Sequence, residues 1–212
     1  TMQSFGGKIS WRTTETGDQK AYEMNIALYD ALKGTTAGED DLGMQRFICA
    51  HAIMLALEGI PGIYIHSLLG TQNDYEKFKN THHNRAINRH RWHYPELEEK
   101  LADSESHHHQ VLNTLTELIN IRTAQRAFHP NATQFTLHLG LQLFGFWRQS
   151  SDRKQSIFCI SNVTDQAIDL PIGELNLIIT ESWHDLITGM EITDLTQSIE
   201  LAPYQTVWLS NI

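Results

Sequence analysis

The residues best suited to bind a charged or hydroxylated ligand lie in one polar stretch, residues 77–94, KFKNTHHNRAINRHRWHY. Arg and Asn side chains present directional donors that suit sugar hydroxyls and phosphate oxygens, so the stretch predicts an anion or sugar clamp. The same composition is also typical of a solvated basic loop. Five basic side chains lie here, with Asn84 and Asn88 between them: Lys77, Lys79, Arg85, Arg89 and Arg91.

Neither the two histidine tracts nor any known catalytic motif indicates a metal or cofactor site. His107, His108 and His109 are consecutive, so on a helix they point about 100° apart and do not favour one shared metal ion. A solvated helix start is the better interpretation of this tract, and His82–His83 meets the same geometric objection. The sequence contains no H-E-x-x-H, C-x-x-C, G-x-S-x-G, G-x-G-x-x-G or P-loop motif. We therefore expect no metal and no cofactor.

The elements that must position the polar stretch are mainly helical. Tyr22, Ile26 and Tyr29 share one stripe of a predicted helix over 22–32. A second helix, over 41–58, opens at two acidic residues and is apolar almost all round, which indicates burial. The run GIYIHS at 62–67 predicts a parallel strand, after whose carboxyl end α/β proteins build their sites. A further helix, capped by Ser104 or Ser106, is predicted over 105–126.

The pattern changes near Phe128. Residues 133–149 alternate between apolar and polar, and short apolar runs with frequent turns follow, which predicts an antiparallel sandwich. Trp147 and Trp208 fall at inward-facing positions of this pattern. The further predicted strands are SIFCIS (156–161), DLPIG (169–173), LNLIIT (175–180), SIEL (198–201) and QTVWLS (205–210).

Composition restricts the class of protein. The chain has 212 residues, 41% hydrophobic and 19% charged, which suffices for a buried core. Its net charge of −9 argues against nucleic acid as a partner. Neither a transmembrane run nor a signal-peptide h-region is present, so we expect a cytoplasmic protein with no membrane partner. Cys49 and Cys159 read as two buried free thiols rather than a disulfide framework.

The segment GIPGIYIHSLLGTQND (59–74) resembles the last barrel strand and following loop of the α-amylase clan. NRAINRH (84–90) narrows the resemblance to the sucrose phosphorylase subfamily of retaining α-glucosyl phosphorylases. Three further segments resemble that subfamily's loop before the seventh barrel helix and the start of its C-terminal sandwich: 6–32, 128–134 and 144–149. Together these segments extend over nearly the whole chain.

The resemblance implies a fold and a reaction. Residues 1–127 would be the last helices and strand of a (β/α)8 barrel, and residues 128–212 an antiparallel C-terminal β-sandwich. The family forms a covalent β-glucosyl enzyme, from which inorganic phosphate releases α-glucose 1-phosphate. The catalytic Asp and Glu motifs of the earlier barrel strands are absent from this sequence, so we expect the chain alone to be inactive.

The resemblance also assigns substrate-binding residues. Arg85 matches the family arginine that helps to hold the glucosyl unit, against an aspartate of an early barrel strand. Tyr22 and Glu23 match the acceptor-site loop, where sucrose phosphorylases carry Tyr-Gln. Glu23 departs from that pattern, which argues against sucrose and leaves glucosylglycerate-type substrates open. Tyr22 also fits the apolar stripe of its predicted helix. Lys20 and Arg89 are further candidates.

Two other functions remain open: a carbohydrate-binding β-sandwich with a helical adaptor, and a structural accessory domain. A row of exposed aromatic side chains on the sandwich would favour the former. The apolar helix 41–58 and strand 62–66 would present barrel-facing surface to solvent, so self-association is expected. The expected ligands are a small sugar and inorganic phosphate.

Overall fold

A computed structural model describes residues 2–178 and 181–212. Before residue 128 the regular elements are mainly helices, and after it they are β-strands with one 3-10 turn. The first part contains β1 (Lys8–Thr13), β2 (Gln19–Asn25), α1 (Leu28–Ala31), β3 (Gly34–Thr35), β4 (Gly38–Glu39), α2 (Gly43–Ala56), α3 (Ile65–Leu68), α4 (Tyr75–Thr81), a 3-10 helix (Asn84–Asn88), α5 (Tyr94–Ala102), α6 (His107–Ala124) and a 3-10 turn (Arg126–Phe128).

The helix predicted over 22–32 is wrong over most of its length. Strands β1 and β2 form an antiparallel hairpin there, and only α1 is helical. The hairpin turn is closed by a hydrogen bond from the Thr14 N–H to the Asp18 carbonyl at 2.8 Å, and Gly17 provides the required positive φ of 88°. A short helix has a costly nucleus, whereas the hairpin pairs its backbone groups across two strands.

The strand predicted over 62–67 is also wrong. Residues 62–64 belong to no strand, and the chain then turns into α3, with the Ser67 and Leu68 N–H groups both donating to the Tyr64 carbonyl. A parallel strand needs a partner for its backbone groups. Every ladder among the described residues is antiparallel, so the segment satisfies its N–H groups within its own turn.

The helices predicted over 41–58 and 105–126 are confirmed as α2 and α6, with the expected apolar residues buried. The Asp40 carboxylate accepts the Leu42 N–H at 2.9 Å just before α2. At the start of α6 the Ser106 hydroxyl accepts the His108 N–H at 3.2 Å, so Ser106 takes the capping role.

The last part of the chain forms a six-stranded antiparallel sheet and a further two-stranded sheet. Of the strand predicted at LNLIIT, Leu175–Ile178 is not a strand, and residues 179–180 lie outside the described residues. Whether the two sheets are best described as a sandwich stays a prediction. The elements are β5 (Thr133–Leu137), β6 (Leu143–Gln149), β7 (Ser156–Asn162), β8 (Ile168–Pro171), a 3-10 turn (Ile172–Leu175), β9 (Trp183–Asp185), β10 (Glu191–Ile192), β11 (Ser198–Leu201) and β12 (Thr206–Ser210). The six-stranded sheet has the order β10-β9-β12-β7-β6-β5, and β11 pairs with β8 in the two-stranded sheet.

The core of this part is apolar and close-packed. Ten buried side chains form one cluster, among them Leu170, Val207 and Leu209, none of which is exposed at all. Trp208 is fully buried, as its strand pattern predicts, whereas Trp147 is only partly buried. Cys49 and Cys159 are buried free thiols, as predicted, and burial raises the pKa of both.

The chain divides into two compact units. The first, here called the helical unit, comprises the residues up to Phe47 and Ile63–Leu115, and the second, the sheet unit, comprises Ile48–Gly62 and Thr116–Ile212. Within the described ranges, no helix combines the length and the apolar character that crossing a membrane requires.

Candidate active-site pocket

The hairpin of the helical unit places Tyr22 and Glu23 through an irregularity in its pairing. Ser10 lies opposite Glu23 and Trp11 lies opposite Ala21, so Tyr22 is the extra residue of a β-bulge. A bulge re-aims the side chains beside it, and such bulges often occur next to functional sites. Tyr22 therefore lies on a strand, and the alternative that it belongs to the apolar stripe of a helix is wrong. Its ring is 60% exposed.

Side-chain amides hold this hairpin against the 3-10 helix that carries Arg85. The Asn84 amide donates to the Ile9 carbonyl at 3.0 Å and to the Ser10 hydroxyl at 3.1 Å. The Asn88 amide donates to the Ile26 carbonyl at 3.4 Å. The sequence suggested that these two asparagines offer donors to a sugar, but the observed contacts of their amides are made within the protein. Their observed contacts instead fix the position of the hairpin.

A second set of contacts fixes the segment that leads out of the hairpin. The buried Asp30 carboxylate accepts the Asn73 N–H at 2.5 Å, and the Asn73 side-chain oxygen accepts the Ala27 N–H at 2.8 Å. Burial raises the pKa of Asp30, although the hydrogen bond from Asn73 acts in the opposite direction. Because these partners are more than 40 positions apart in sequence, the contacts close the helical unit on itself.

Helix α4 and the residues after the 3-10 helix are joined through Asp74. Its carboxylate accepts the Lys77 N–H at 2.7 Å as an N-cap and lies 2.8 Å from Nδ1 of His90. Burial opposes ionisation of Asp74, but the Lys77 N–H and His90 outweigh it and hold the pKa of this carboxyl below its usual range. The loop that bears Arg85 and Arg89 is thus anchored just beyond each of its ends.

Arg85 and Glu23 form an ion pair at the centre of the pocket. Nε of Arg85 donates to both carboxylate oxygens of Glu23, at 2.8 and 3.1 Å. The Glu23 carboxylate raises the pKa of the Arg85 guanidinium, and Tyr22 acts in the same direction to a smaller extent. The Arg85 side chain remains 52% exposed, so solvent screens the pair and its stabilising effect is small. Exposure also leaves donors of Arg85 accessible to a ligand.

The surrounding pocket has a volume of about 750 Å³ and contains four of the five predicted binding residues. Tyr22, Glu23, Arg85 and Arg89 line it together. Lys20 does not; it lines a neighbouring groove of the hairpin, on the other side of Tyr22. Lys77, one of the basic side chains of the predicted clamp, also lines the pocket, as does Ser10, which sequence reasoning did not indicate as a ligand-site residue. The signal for Ser10 was present in the alternating KISWRT strand followed by a T-E-T-G-D turn.

The histidine tract at the start of α6 is not solvated as expected. His108 is buried, and its Nδ1 lies 2.6 Å from the Leu69 carbonyl, while Nε2 of His107 lies 3.0 Å from the Gly70 carbonyl. Burial lowers the pKa of both imidazoles, so both favour the neutral form. Among the residues that the structure describes, no group of three or more His, Cys, Asp or Glu side chains is arranged to hold a metal ion.

Comparison with solved structures first defines the class. AmyP in complex with maltose matches 88% of this chain and 39% of its own, with a TM-score of 0.65 and 13% identity. A sucrose 6F-phosphate phosphorylase from Thermoanaerobacter thermosaccharolyticum matches 95% of this chain and 34% of its own, with a TM-score of 0.59 and 21% identity. The fold is therefore that of a region of the α-amylase family.

Curated relatives then give the particular group, although no family model matches the chain. A glucosylglycerate phosphorylase of Allomeiothermus silvanus is 35% identical over 96% of this chain, and one of Escherichia coli K12 is 31% identical over 98%. A sucrose 6(F)-phosphate phosphorylase of Thermoanaerobacterium thermosaccharolyticum is 32% identical over 51% of the chain. The chain is a homologue of the glucosylglycerate and sucrose phosphorylases, and it spans about a third of the length of the glucosylglycerate phosphorylases it matches.

Proposed function

We propose that the chain is the C-terminal region of a retaining α-glucosyl phosphorylase that transfers glucose to inorganic phosphate and yields α-glucose 1-phosphate. The observation that carries this proposal is the Arg85–Glu23 ion pair in a pocket lined by the residues that the family resemblance selects. Residues 1–127 would complete the catalytic barrel, and residues 128–212 would form its C-terminal β-sandwich. The proposal also expects a cytoplasmic protein.

The chain's own residues would position the reactants. In the first step of the two-step reaction, a carboxylate outside this chain attacks the anomeric carbon, and the acceptor group leaves with a proton from a general acid that also lies outside this chain. In the second step, a phosphate oxygen attacks the anomeric carbon of the glucosyl enzyme and the carboxylate leaves. Lys77, Arg85 and Arg89 bring three positive charges to the pocket against the single negative charge of Glu23. That excess of positive charge favours a phosphate dianion. Arg85 would present its free guanidinium donors to a hydroxyl or to phosphate.

The acceptor would be set by Glu23 and Tyr22. The Glu23 carboxylate accepts hydrogen bonds from hydroxyl groups but repels an anion. Its pairing with Arg85 would therefore determine whether an acceptor group meets a negative carboxylate or a neutralised ion pair. We propose a glucosylglycerate-type substrate, in which glycerate is the acceptor group. The alignments support this choice, because the glucosylglycerate phosphorylases match 96% or more of this chain and the sucrose phosphorylases 50–56%.

The segment that follows α2 carries exposed apolar side chains. Ile60, Tyr64 and Ile65 are 84%, 55% and 54% exposed, and residues 62–64 belong to no strand. We propose that the missing barrel residues cover this segment in the whole protein. The 212-residue chain alone would then self-associate through it, which size-exclusion chromatography with light scattering tests. A monodisperse monomer over the whole concentration range would oppose this part of the proposal.

Phosphorolysis assays test the activity. The whole protein should release α-glucose 1-phosphate from glucosylglycerate and inorganic phosphate, with lower kcat/KM on sucrose. The 212-residue chain alone should release none. Activity of the isolated chain would contradict the assignment of the catalytic carboxylates to residues outside it. A whole protein that is inactive on both donors would favour the structural or carbohydrate-binding alternative.

A further inference from the structure

The sheet unit contains a recessed pocket of about 380 Å³ that is separate from the pocket around Arg85. This volume lies at the lower end of the range for small-molecule sites, which is about 300–1,000 Å³. Its floor is formed by Trp147, Phe158 and Trp183, and its rim by polar side chains that include Gln149, Arg153 and Asn211. An apolar floor with a few polar groups is the usual composition of a small-molecule site.

The floor belongs to a row of aromatic rings that crosses the sheet. Phe135 pairs with Trp147 across β5 and β6, and Trp147 pairs with Phe158 across β6 and β7. The ring centroids are 4.7 Å apart for the former pair and 5.7 Å for the latter, both stacked, and Phe158 meets Trp183 edge-on at 5.5 Å. Strand pairing and ring–ring contacts thus hold the aromatic side chains of the floor in a fixed arrangement.

The row of aromatic rings is partly exposed to solvent at the pocket. Trp147 is only partly buried, although its strand pattern predicts an inward-facing residue. Its Nε1 atom is buried and has no hydrogen-bond partner within residues 2–178 and 181–212. Because this atom is buried, a ligand in the pocket would contact other atoms of the Trp147 ring.

The rim combines groups of both charges. Arg153 has no ion-pair partner within the part of the chain that the structure describes, and one carboxylate oxygen of Glu181 accepts the Asn211 amide at 2.9 Å. A guanidinium and a carboxylate at the same rim balance each other's charge. The rim therefore offers donors and acceptors without a net charge that would select an anion.

We propose that this pocket binds a neutral pyranose sugar, as a second carbohydrate site distinct from the pocket around Arg85. Because Phe135 and Phe158 stack on Trp147, the C–H groups of a pyranose ring would pack against the ring edges of the aromatic floor, while its hydroxyls would bond to Gln149 and Arg153 on the rim. A phosphate would gain little on a charge-balanced rim, and a purely apolar ligand would leave the rim groups unpaired. The inference does not depend on the proposed phosphorolysis, since it concerns only residues of the sheet unit.

The test uses the 212-residue chain, labelled with ¹⁵N, and follows the indole N–H resonances of its five tryptophans by NMR. D-glucose is the probe, and inorganic phosphate and cyclohexanol are the comparison ligands. Glucose should shift the Trp147 and Trp183 resonances saturably at millimolar concentration. The double variant Gln149→Ala with Arg153→Ala should weaken glucose binding about tenfold or more, because it removes the rim donors.

Two control variants make the outcomes distinguishable. Lys154→Ala removes an exposed cation next to Arg153 that does not line the pocket, and it should leave glucose binding unchanged. Arg85→Ala should also leave these shifts unchanged. Loss of the shifts in Arg85→Ala would place the sugar at the other pocket and overturn the inference. So would the absence of saturable shifts in a well-dispersed spectrum, or a cyclohexanol response equal to that of glucose and unaffected by the double variant.

Discussion

Each of the two units of this chain is stabilised internally by a different kind of interaction. In the helical unit, side-chain amides and carboxylates bond to backbone groups far away in sequence, as Asn84 does with Ile9 and Asp30 with Asn73. In the sheet unit, a contiguous apolar cluster includes Leu170, Val207 and Leu209, all without exposed surface. The former arrangement depends on directional polar contacts, and the latter mainly on burial.

The pocket around Arg85 lies in the unit that directional polar contacts stabilise. Hydrogen bonds fix orientation, so a network of them can hold an exposed hairpin at a set distance from a basic loop. Apolar burial is not directional, and it suits a sheet whose main requirement is a rigid frame. The helical unit therefore gains a positioned but solvent-accessible Arg85–Glu23 pair, and its stability rests on fewer, individually replaceable contacts.

The largest expected effect is on the sheet core. Trp208→Ala removes a fully buried ring and should lower the free energy of unfolding of the sheet unit by ~3–5 kcal/mol, measured by urea denaturation. The matched control is Leu141→Ala, because Leu141 is 99% exposed and its truncation should have almost no effect. Equal effects of the two variants would show that burial does not dominate in this unit.

The next largest effect is on activity in the whole protein. Arg85→Ala should lower kcat/KM by about one to two orders of magnitude without unfolding the chain, because its guanidinium donors are exposed in the pocket. Arg85→Lys should not restore the rate, since an ammonium cannot reproduce the planar paired donors.

Arg89→Ala is the internal comparison for that experiment, because Arg89 lines the same pocket without an ion-pair partner among the described residues. A greater loss for Arg89→Ala than for Arg85→Ala would reverse the assigned roles. Near-wild-type kinetics for both variants would mean that residues 77–94 form a solvated basic loop.

A smaller effect is expected when the amide that positions the hairpin is removed. Asn84→Ala deletes donors to Ile9 and Ser10 and should destabilise the hairpin by about 1–2 kcal/mol, seen as faster amide exchange in β1 and β2 with β7 unchanged. Asn80→Ala is the matched control, since Asn80 is exposed on α4. Unchanged exchange in the hairpin of Asn84→Ala would remove the asparagine from this positioning role.

The smallest expected effect is a pH dependence confined to the helical unit. Burial holds the pKa of His107 and His108 below the ordinary value of 6.5, so the unfolded chain binds these protons more readily than the folded one. Stability should therefore be complete above pH 6.5 and fall as the pH drops below it. Urea unfolding followed at the Trp92 indole, which packs 5.0 Å from His108, should show this loss as the pH falls through about 6.5.

The Trp208 indole reports on the sheet unit in the same experiment and should respond less. In His108→Gln the Trp92 response should flatten, because one of the titrating groups is gone. A Trp92 response that is equally steep in this variant would assign the pH dependence to other groups.

Sequence patterns succeeded where local periodicity and burial agree. The apolar repeat of Val111, Leu115 and Leu118 predicted α6, and the alternating pattern after residue 133 predicted β5, β6 and β7. They failed where a segment fits two periods or depends on a partner. Tyr22, Ile26 and Tyr29 fit a helical stripe, but pairing with β1 made a strand of Gln19–Asn25, which contains Tyr22, and left only Tyr29 in a helix. GIYIHS fits a strand, but the described residues supply it with no parallel neighbour.

The amino-acid sequence by itself determined the helices α2 and α6, the antiparallel tail, the buried thiols and the polar residue types that line the pocket around Arg85. Those properties follow from periodicity and composition, which act over a few residues at a time. Only the tertiary structure decided that Glu23 pairs with Arg85, 62 positions away, that Asn84 and Asn88 bond to the hairpin, and that His108 is buried. Contacts over such distances depend on how the hairpin and the loops pack, and no local pattern encodes which donor meets which acceptor.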